Sequence, residues 1–455
     1  MDNSVIKARL DRLLADDKRS ELRGALTMLN PVDTAEYLSE LETREMLRVF
    51  RILPKDLSSE VFSYMEDDQR QKLLESIGDK EICALVDDMF IDDAVDFLEE
   101  MPPELVKRVL ANVPEDTRKT INRFLSYPEG SAGSIMTIEA CVLPEESTVK
   151  QAIDEIRSNG VDKETINTIY VTDRNGRLTG ELPLRKLIIA NYDSALTDII
   201  DRNFVAVGTL DDQEEVAQTV RKYDLMAVPV IDKEGRPVGI ITADDIMDVL
   251  QDEATEDMEK MSALTPSEET YMKTGVVKLV LNRLPWLVIM LMCSILTGLI
   301  INHFEGLIDP AVVGSIGIAL TACIPMLMDT GGNCGQQAST LVIRAMGVGE
   351  LAPSDALKVL WKEIRVAVIV SVILAAACCC IQRFLFVNSW AVSLTISCAM
   401  VLTVLLAKAL GALLPLAASA LKLDPALTAA PLITTLSDTC SLLILFETAK
   451  VLLKL

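Results

Sequence analysis

Residues 284–303 read LPWLVIMLMCSILTGLIINH, a run of twenty residues without a single Asp, Glu, Lys or Arg. A helix needs about twenty consecutive apolar residues to cross the hydrocarbon core of a bilayer, so this run predicts a membrane-spanning helix. Four further apolar runs follow it, at 311–335, 364–386, 390–416 and 427–450. The sequence therefore predicts an all-α transmembrane domain with five helices over residues 283–455.

The part of the chain before this run is acidic. Residues 276–455 contain 11 Lys and Arg against 9 Asp and Glu, which leaves 32 basic and 58 acidic side chains for residues 1–275. The first part thus carries a net charge of −26, and an acidic, water-soluble part is joined to an apolar, nearly neutral one. A charge of that sign repels nucleic-acid phosphates and attracts cations. We therefore expect no nucleic-acid partner.

The placement of Lys and Arg predicts the orientation in the membrane. Basic residues concentrate before the first predicted span, between the second and third, and between the fourth and fifth: Lys273, Lys278, Arg283, Arg344, Lys358, Lys362, Arg365 and Lys422. Cytoplasmic loops carry such an excess. The N-terminus also has charges throughout and no apolar run typical of a signal peptide. We expect a multi-pass protein of the cell membrane with a cytoplasmic N-terminus and, after five spans, a C-terminus outside.

Residues 1–130 predict an α-helical superhelix, a bundle or solenoid of short helices. Apolar side chains recur at helical spacing, and prolines mark helix starts. A weak repeat is present, because Leu53-Pro54-x-x-Leu57-x-x-x-Val61 returns as Met101-Pro102-x-x-Leu105-x-x-x-Val109. The stretch 127–134, YPEGSAGS, has the composition of a linker.

Residues 131–250 contain two copies of one α/β unit. IYVTDRNGRLTG at 169–180 and VPVIDKEGRPVG at 228–239 each predict strand, tight turn and strand. Together they resemble a tandem pair of CBS domains. In that family a Thr-x-x-Asp pattern can hold the ribose of an adenine nucleotide, which makes Thr242 and Asp245 of the second copy candidate nucleotide-binding residues. The first copy has 181–186, ELPLRK, there and departs from the pattern.

A charged helix is predicted to lead from these domains towards the membrane, with a connecting segment at 251–282. Acidic side chains crowd this helix at spacings of three and four, which places several on one face. They are Asp244, Asp245, Asp248, Asp252, Glu253, Glu256, Asp257 and Glu259. A solvated helix face would give the same pattern.

The second predicted span contains an unusual polar run, DTGGNCGQQAST at 329–340. Glycines and polar side chains occur at membrane depth where helices pack closely or line a water-filled path. Gly331, Gly332, Asn333 and Gln337 are therefore candidate pore residues. A polar seam between helices is the alternative interpretation, and the sequence assigns no role to Asp329.

The fifth predicted span carries Asp438 near its middle. A lone carboxylate at that depth costs about 2.5–3.5 kcal/mol, so a purely structural role is unfavourable. Thr434 and Thr435 add oxygen atoms at helical spacing. Mg²⁺ prefers oxygen ligands and retains much of its water, so one or two carboxylates suit it. The sequence shows no His or Cys paired with Asp438, which argues against a site for a softer metal such as copper or zinc. The spacing predicts an oxygen-lined path for a hard divalent cation.

In combination these motifs resemble the MgtE-type magnesium channels over nearly the whole chain. The segments that carry the resemblance are SYPEGSAGSIM (126–136), the CBS pair, EATED (253–257), GGNCGQQ (331–337), and DPAL (424–427) through Asp438. The resemblance implies a homodimer in a bacterial plasma membrane, with two fifth spans presenting Asp438 to a shared pore. It also implies that cytosolic Mg²⁺ binds between acidic surfaces and closes the pore through the connecting helix.

Residues expected to contact Mg²⁺ follow from the resemblance and from the acidic segments. They are Asp438 in the pore, and Asp424, Glu253, Glu256, Asp257, Glu259, Asp244, Asp248, Asp92 and Asp93 on the cytosolic side. A proton- or cation-coupled carrier on the same scaffold is the alternative, and a membrane-anchored sensor without transport is a third. The sequence shows no nucleophile–base pair and no phosphate-binding loop, so we expect that the protein is not an enzyme.

Overall fold

The computed structural model describes residues 3–454 apart from 88, 100, 268–270, 272–273 and 429. The chain forms two compact units, Met1–Leu250 and Gln251–Leu455. The predicted organisation, a helical domain followed by α/β domains and then by long apolar helices, is confirmed.

The first unit begins with short helices, as the proline spacing predicted. They are α1 (Asn3–Ala15), α2 (Arg19–Leu26), α3 (Pro31–Ser39), α4 (Thr43–Phe50), α5 (Lys55–Ser63), α6 (Asp67–Ser76), α7 (Asp79–Asp87), α8 (Ile91–Glu99), α9 (Pro103–Asn112) and α10 (Glu115–Phe124). Asn30 caps α3, accepting a hydrogen bond from Val32 N at 3.0 Å, with Pro31 in the first turn. Phe62 and Phe97 meet edge to face in the core, 5.1 Å between ring centroids.

Two small sheets with the same topology follow. The elements are β1 (Val142–Pro144), α11 (Val149–Asn159), β2 (Thr168–Thr172), β3 (Leu178–Pro183), α12 (Leu184–Ile189), β4 (Val207–Gly208), α13 (Gln213–Tyr223), β5 (Ala227–Ile231), β6 (Pro237–Thr242) and α14 (Ala243–Met261). The sheets have the orders β1-β2-β3 and β4-β5-β6, each with one parallel and one antiparallel pair.

The two antiparallel turns confirm the predicted turn chemistry. Asp173 Oδ1 accepts hydrogen bonds from Asn175 N at 2.8 Å and Arg177 N at 2.9 Å. Asp232 makes the same pair of bonds in the second copy, and Gly176 and Gly235 have φ of 76° and 80°. A side chain with a Cβ rarely adopts this φ, so glycine is favoured at both turns.

The second unit contains the long apolar helices. They are α15 (Val276–His303), α18 (Ser315–Gly347), α19 (Ala356–Cys380), α20 (Trp390–Ala420) and α21 (Ala430–Leu453), with the short α16 (Glu305–Ile308) and α17 (Pro310–Val313) between the first two. Within the described residues, four segments are long and apolar enough to span a membrane: Val276–His303, Ser315–Gly347, Pro353–Leu385 and Trp390–Ala420. Helix α21 carries Asp438, Glu447 and Lys450 and is more polar, but it packs against α18 and α20.

Two predicted boundaries were wrong. Helix α15 begins at Val276, before the predicted span at 284–303, which lies wholly within the helix. The helix of the second predicted span begins at Ser315 and not at 311, since Gly314 has a φ of 62° and ends the short helix before it. The charged helix was predicted to lead on towards the membrane through the connecting segment at 251–282, but α14 ends at Met261, where Ala263 has φ of 55° and Pro266 follows.

Candidate metal and pore sites

Glycines let three helices of the second unit approach closely. A Cβ added to Gly331 would lie 2.8 Å from Ser441 Oγ and 2.9 Å from Ser437 Oγ, both on α21. A Cβ on Gly411 of α20 would overlap the carbonyl oxygen of Gly335 on α18. These glycines therefore form a helix–helix seam, in agreement with the alternative interpretation of the polar run.

The seam also brings the polar run of α18 against the acid of α21. A Cβ on Gly332 would lie 3.3 Å from Thr434 Cγ2 and 3.9 Å from Asp438 Oδ1. Asp438, Thr434 and Thr435 are each half-buried. Two predicted site segments, distant in sequence, thus meet at one place.

The other polar residues of α18 lie on a different face. Asp329, Asn333 and Gln337 follow one another at intervals of four, and all three are exposed in the single chain. Asp329 is also close enough to Asp438 for the two carboxylates to repel one another. The structure therefore places the carboxylate of Asp329 within electrostatic range of Asp438, whereas the sequence assigned Asp329 no role.

A buried ion pair joins α19 and α20. Lys408 Nζ lies 3.6 Å from Glu363 Oε2, with side-chain exposures of 7 % and 13 %. Sequence reasoning missed this pair because Glu363 lies in the basic segment before the third predicted span. Removing one partner would leave a buried charge uncompensated.

We expect Gly411→Ala to destabilise the membrane unit, because the new methyl group must push α18 and α20 apart. Overpacking of this kind typically costs about 1–3 kcal/mol. Thermal unfolding in detergent measures the loss. Gly298→Ala is the matched control, since a Cβ at Gly298 of α15 meets nothing within 4 Å. Equal midpoints for the two variants would contradict the proposed close contact.

At the end of α14, a lysine joins acids from two elements. Lys260 Nζ lies 2.7 Å from Glu256 Oε1, one turn earlier, and 2.7 Å from Asp424 Oδ2, just before α21. Asp424 Oδ1 accepts a hydrogen bond from Ala426 N at 2.8 Å. Sequence reasoning named both acids and missed the lysine, which reads as an ordinary helix pair with Glu256.

The acids around Lys260 repel one another. Burial, the nearby charge of Asp424, and those of Glu253 and Glu256 raise the pKa of Asp257 to about 6, while Lys260 acts in the opposite direction. Glu259 is turned elsewhere and accepts a hydrogen bond from Ser267 N at 3.1 Å. Three of the four predicted acids of the connecting helix therefore share one charge cluster.

A second acidic cluster lies within the first unit. Burial and the charge of Asp93, with smaller contributions from Asp245 and Glu164, raise the pKa of Asp92 to about 8. Burial and the charges of Asp245, Asp244 and Asp93 raise the pKa of Glu164 to about 7. The structure thus places Asp92, Asp93, Asp244 and Asp245 near one another and adds Glu164; that these acids contact Mg²⁺ stays a prediction. No sequence signal distinguished Glu164, which lies in the short charged stretch Asp162-Lys163-Glu164.

The two clusters are not preformed metal cages. Among the described residues, no three His, Cys, Asp or Glu side chains are grouped so that they could hold one metal ion. Asp248 is exposed on α14. Thr242 and Asp245 bond to each other, with Thr242 Oγ1 donating to Asp245 Oδ2 at 2.5 Å, which is the arrangement of a helix cap at the start of α14.

Comparison with known proteins identifies the family. A model of the MgtE divalent cation transporter domain matches residues 324–448, and one of the MgtE intracellular N domain matches 29–130. CBS domain models match 132–192 and 196–252. The chain is 34 % identical to the magnesium transporter MgtE of Thermus thermophilus, over 98 % of each chain. The chain belongs to the MgtE family of magnesium transporters.

Further relatives agree. The MgtE of Bacillus subtilis is 29 % identical over 97 % of this chain and 96 % of its own. A crystal structure of the soluble part of a magnesium transporter matches with a TM-score of 0.54 and 29 % identity, over 56 % of this chain and all of that one. The cytosolic domain of the Mg²⁺ channel MgtE in complex with ATP matches with a TM-score of 0.51 and 32 % identity, over 53 % of this chain and 99 % of that one.

Membership in the MgtE family confirms several predictions. The family relatives are magnesium transporters and not enzymes. With its apolar helices, the chain is a multi-pass membrane protein. The predicted division at 130, 250 and 282 stays a prediction.

Proposed function

We propose that the protein is a channel that passes Mg²⁺ into the cytoplasm and that is closed by Mg²⁺ bound to its acidic cytosolic part. One observation carries the proposal: the glycine seam brings the polar run of α18 against Asp438 of α21. Asp438, Thr434 and Thr435 then supply oxygen atoms at membrane depth, and Asn333 and Gln337 continue the polar wall. A partly hydrated Mg²⁺ suits such a path.

A homodimer would complete the pore. Asp329, Asn333 and Gln337 are exposed in the single chain, yet polar groups facing lipid are unfavourable. A second copy placing its own α18 and α21 opposite would turn this face into a water-filled path. The proposed orientation has the N-terminus in the cytoplasm and the C-terminus outside, as the Lys and Arg placement predicts.

Closure is proposed to use the two acidic clusters. In each, burial and like charges raise carboxyl pKa values, so a divalent cation would offset repulsion that the fold otherwise tolerates. The proposed cytosolic ligands are Asp92, Asp93, Asp244, Asp248, Glu253, Glu256, Asp257 and Glu259. Asp424 is proposed to act in closure and not in conduction, because it holds the end of α14 at the start of the fifth span.

An adenine nucleotide at the CBS domains stays a prediction. The relative in complex with ATP supports it. Thr242 and Asp245 already bond to each other, so a ribose would have to replace that bond or join it.

Uptake by liposomes tests the proposal. The full chain is reconstituted and Mg²⁺ entry is followed at low and at millimolar internal Mg²⁺, with and without competing divalent cations. We expect entry driven by a negative internal potential at low internal Mg²⁺ and its suppression at high internal Mg²⁺. An entry rate that is the same at low and at high internal Mg²⁺ would contradict gating. An absence of Mg²⁺ entry under all conditions would contradict transport.

Millimolar Mg²⁺ should protect the first unit from proteolysis, and its removal should expose the linker near 126–135. Binding stabilises the compact form by about 1.4 kcal/mol at nine times Kd. Digestion patterns in Mg²⁺ and in EDTA measure the effect.

The same digestion should depend on pH when EDTA is present. The raised pKa values of Asp92 and Glu164 mean that the folded unit binds more protons than the unfolded chain. The stability that these two groups contribute is therefore fully present below their unfolded pKa and is lost as the pH rises towards about 8. Resistance should be lower at about pH 8.5 than at about pH 6, and Mg²⁺ should restore it. Identical patterns in all four conditions would count against a metal-sensing cluster.

A further inference from the structure

An arginine lies over an exposed tryptophan at each end of α19. At the first end, the guanidinium of Arg365 lies 5.9 Å from the centroid of the Trp361 ring, one turn earlier. At the other end, the guanidinium of Arg383 lies 5.4 Å from the ring of Trp390, the first residue of α20. The two tryptophans are 61 % and 57 % exposed. Two cation–π pairs therefore mark the two ends of one helix.

The surface of α19 between these pairs is apolar and exposed. Positions 366–382 contain no Asp, Glu, Lys or Arg. The exposed apolar side chains that follow Arg365 along one face of the helix are Val368, Ile369, Val372 and Ile373. Because the chain is a multi-pass membrane protein, lipid acyl chains are the partner that such a face fits.

The separation of the two pairs matches the thickness of a bilayer. Eighteen positions separate Arg365 from Arg383 in the chain, which is about 27 Å along a helix at 1.5 Å per residue. The hydrocarbon core of a bilayer is about 30 Å thick. Tryptophan rings concentrate at its two borders, and arginine side chains reach from there towards the headgroups. The two guanidiniums therefore stand at the levels of the two phosphate layers.

The pair at the far end is held in place from the protein core. Gln382 is 1 % exposed, and its Nε2 donates a hydrogen bond to Cys323 Sγ of α18 at 3.0 Å. Gln382 Oε1 accepts one from Asn388 Nδ2 at 2.8 Å, and the backbone oxygen of Asn388 accepts one from Arg383 Nη1 at 3.3 Å. This chain of bonds fixes the turn between α19 and α20, so Arg383 is preorganised for a ligand.

The near end carries a second cation. Lys362 is exposed beside Trp361 and three residues before Arg365. The two nearest acids in the sequence are engaged elsewhere, since Asp355 pairs with Lys358 and Glu363 with Lys408. The charges of Lys362 and Arg365 are therefore available to an anionic headgroup.

We propose that α19 binds anionic phospholipids, with the headgroup phosphate at Trp361, Lys362 and Arg365 and an acyl chain along the exposed apolar face. In the opposite leaflet, Arg383 and Trp390 bind the phosphate of a second phospholipid and fix the depth of the helix. A guanidinium can bond two phosphate oxygens at once, which favours arginine at both positions. The proposed orientation places the Lys362 end at the cytoplasmic leaflet, where anionic lipids attract basic residues. The inference goes beyond transport, and its test needs no uptake.

Quenching of single tryptophans by brominated lipids tests the proposal. The full chain with Trp286→Phe and Trp390→Phe retains only Trp361 and is reconstituted in vesicles of phosphatidylcholine and phosphatidylglycerol. One lipid at a time carries bromine near its headgroup. We expect brominated phosphatidylglycerol to associate with Trp361 about fivefold more strongly than brominated phosphatidylcholine, and Arg365→Gln to remove most of this preference. Lys119→Gln, which removes an exposed positive charge in the first unit, is the control and should leave the preference unchanged.

The position of the bromine tests the match to the bilayer. In variants that retain only Trp361 or only Trp390, bromine near the headgroup should quench more strongly than bromine near the end of the acyl chain. The unfolding midpoints in detergent should equal that of the wild type, which shows that the variants are folded. Equal association of the two lipids with Trp361, or stronger quenching from the chain end, would overturn the proposal. An absence of quenching at both rings would also overturn it, because a second copy would then cover the face.

Discussion

Asp438→Asn is expected to abolish Mg²⁺ uptake while leaving the protein folded. Asparagine keeps the shape of the side chain but removes the charge that attracts a divalent cation at membrane depth. Partners that only orient metal ligands typically contribute 10–100-fold in affinity, so losing a direct carboxylate should reduce uptake by about 100-fold or more. Uptake by reconstituted liposomes gives the rate.

Two controls make the result specific. Glu350→Gln changes one exposed carboxylate between α18 and α19 and should leave uptake unchanged. The unfolding midpoint of the Asp438→Asn variant in detergent should stay close to that of the wild type, which shows that the variant is folded. Wild-type uptake by a folded Asp438→Asn variant would remove Asp438 from the pore.

The second large effect is expected from neutralising the connecting helix. Glu253→Gln, Glu256→Gln, Asp257→Asn and Glu259→Gln together should leave the channel open at high internal Mg²⁺. Moving a gate from 99:1 to 1:99 requires about 5.5 kcal/mol of differential binding, more than one carboxylate can supply. Each single change should therefore only shift the inhibitory concentration, and the quadruple variant should lose inhibition. Patch-clamp records at several internal Mg²⁺ concentrations measure both.

A matched quadruple variant separates gating from overall charge. Asp33, Glu36, Glu42 and Glu45 lie exposed on or beside α3 and α4, so neutralising them removes the same number of charges. This variant should close normally. If the connecting-helix variant also closed normally, its acids would be a solvated face.

Sequence reasoning is most specific where one residue carries a large energetic cost or sets a particular turn. Asp438 stands out because a charge in an apolar run is unfavourable wherever the neighbours lie, although its role in the pore stays a prediction. The two Asp-x-x-Gly-Arg turns could be predicted because they depend on neighbouring residues alone. The Asp side chain that caps the turn and the glycine with positive φ both lie within five residues. Pro266 indicated that α14 ends before it, but the regular spacing of the acidic residues favoured a longer helix.

Contacts between distant segments could not be predicted in the same way. Gly411 lies in an apolar helix with nothing to mark it, and its importance comes from Gly335 on another helix. Lys260 reads as a partner of Glu256 until the fold brings Asp424 to it. Thr242 and Asp245 were predicted only from a nucleotide-binding motif, and the structure shows that they also cap α14.

Single-channel recording tests the central claim most directly. Excised patches containing the full chain are exposed to stepped Mg²⁺ on the cytosolic face, with Mg²⁺ as the only permeant cation outside. A gated channel gives unitary currents whose open probability falls as cytosolic Mg²⁺ rises. Proton-coupled Mg²⁺ flux without unitary currents, or unitary currents indifferent to cytosolic Mg²⁺, would contradict it.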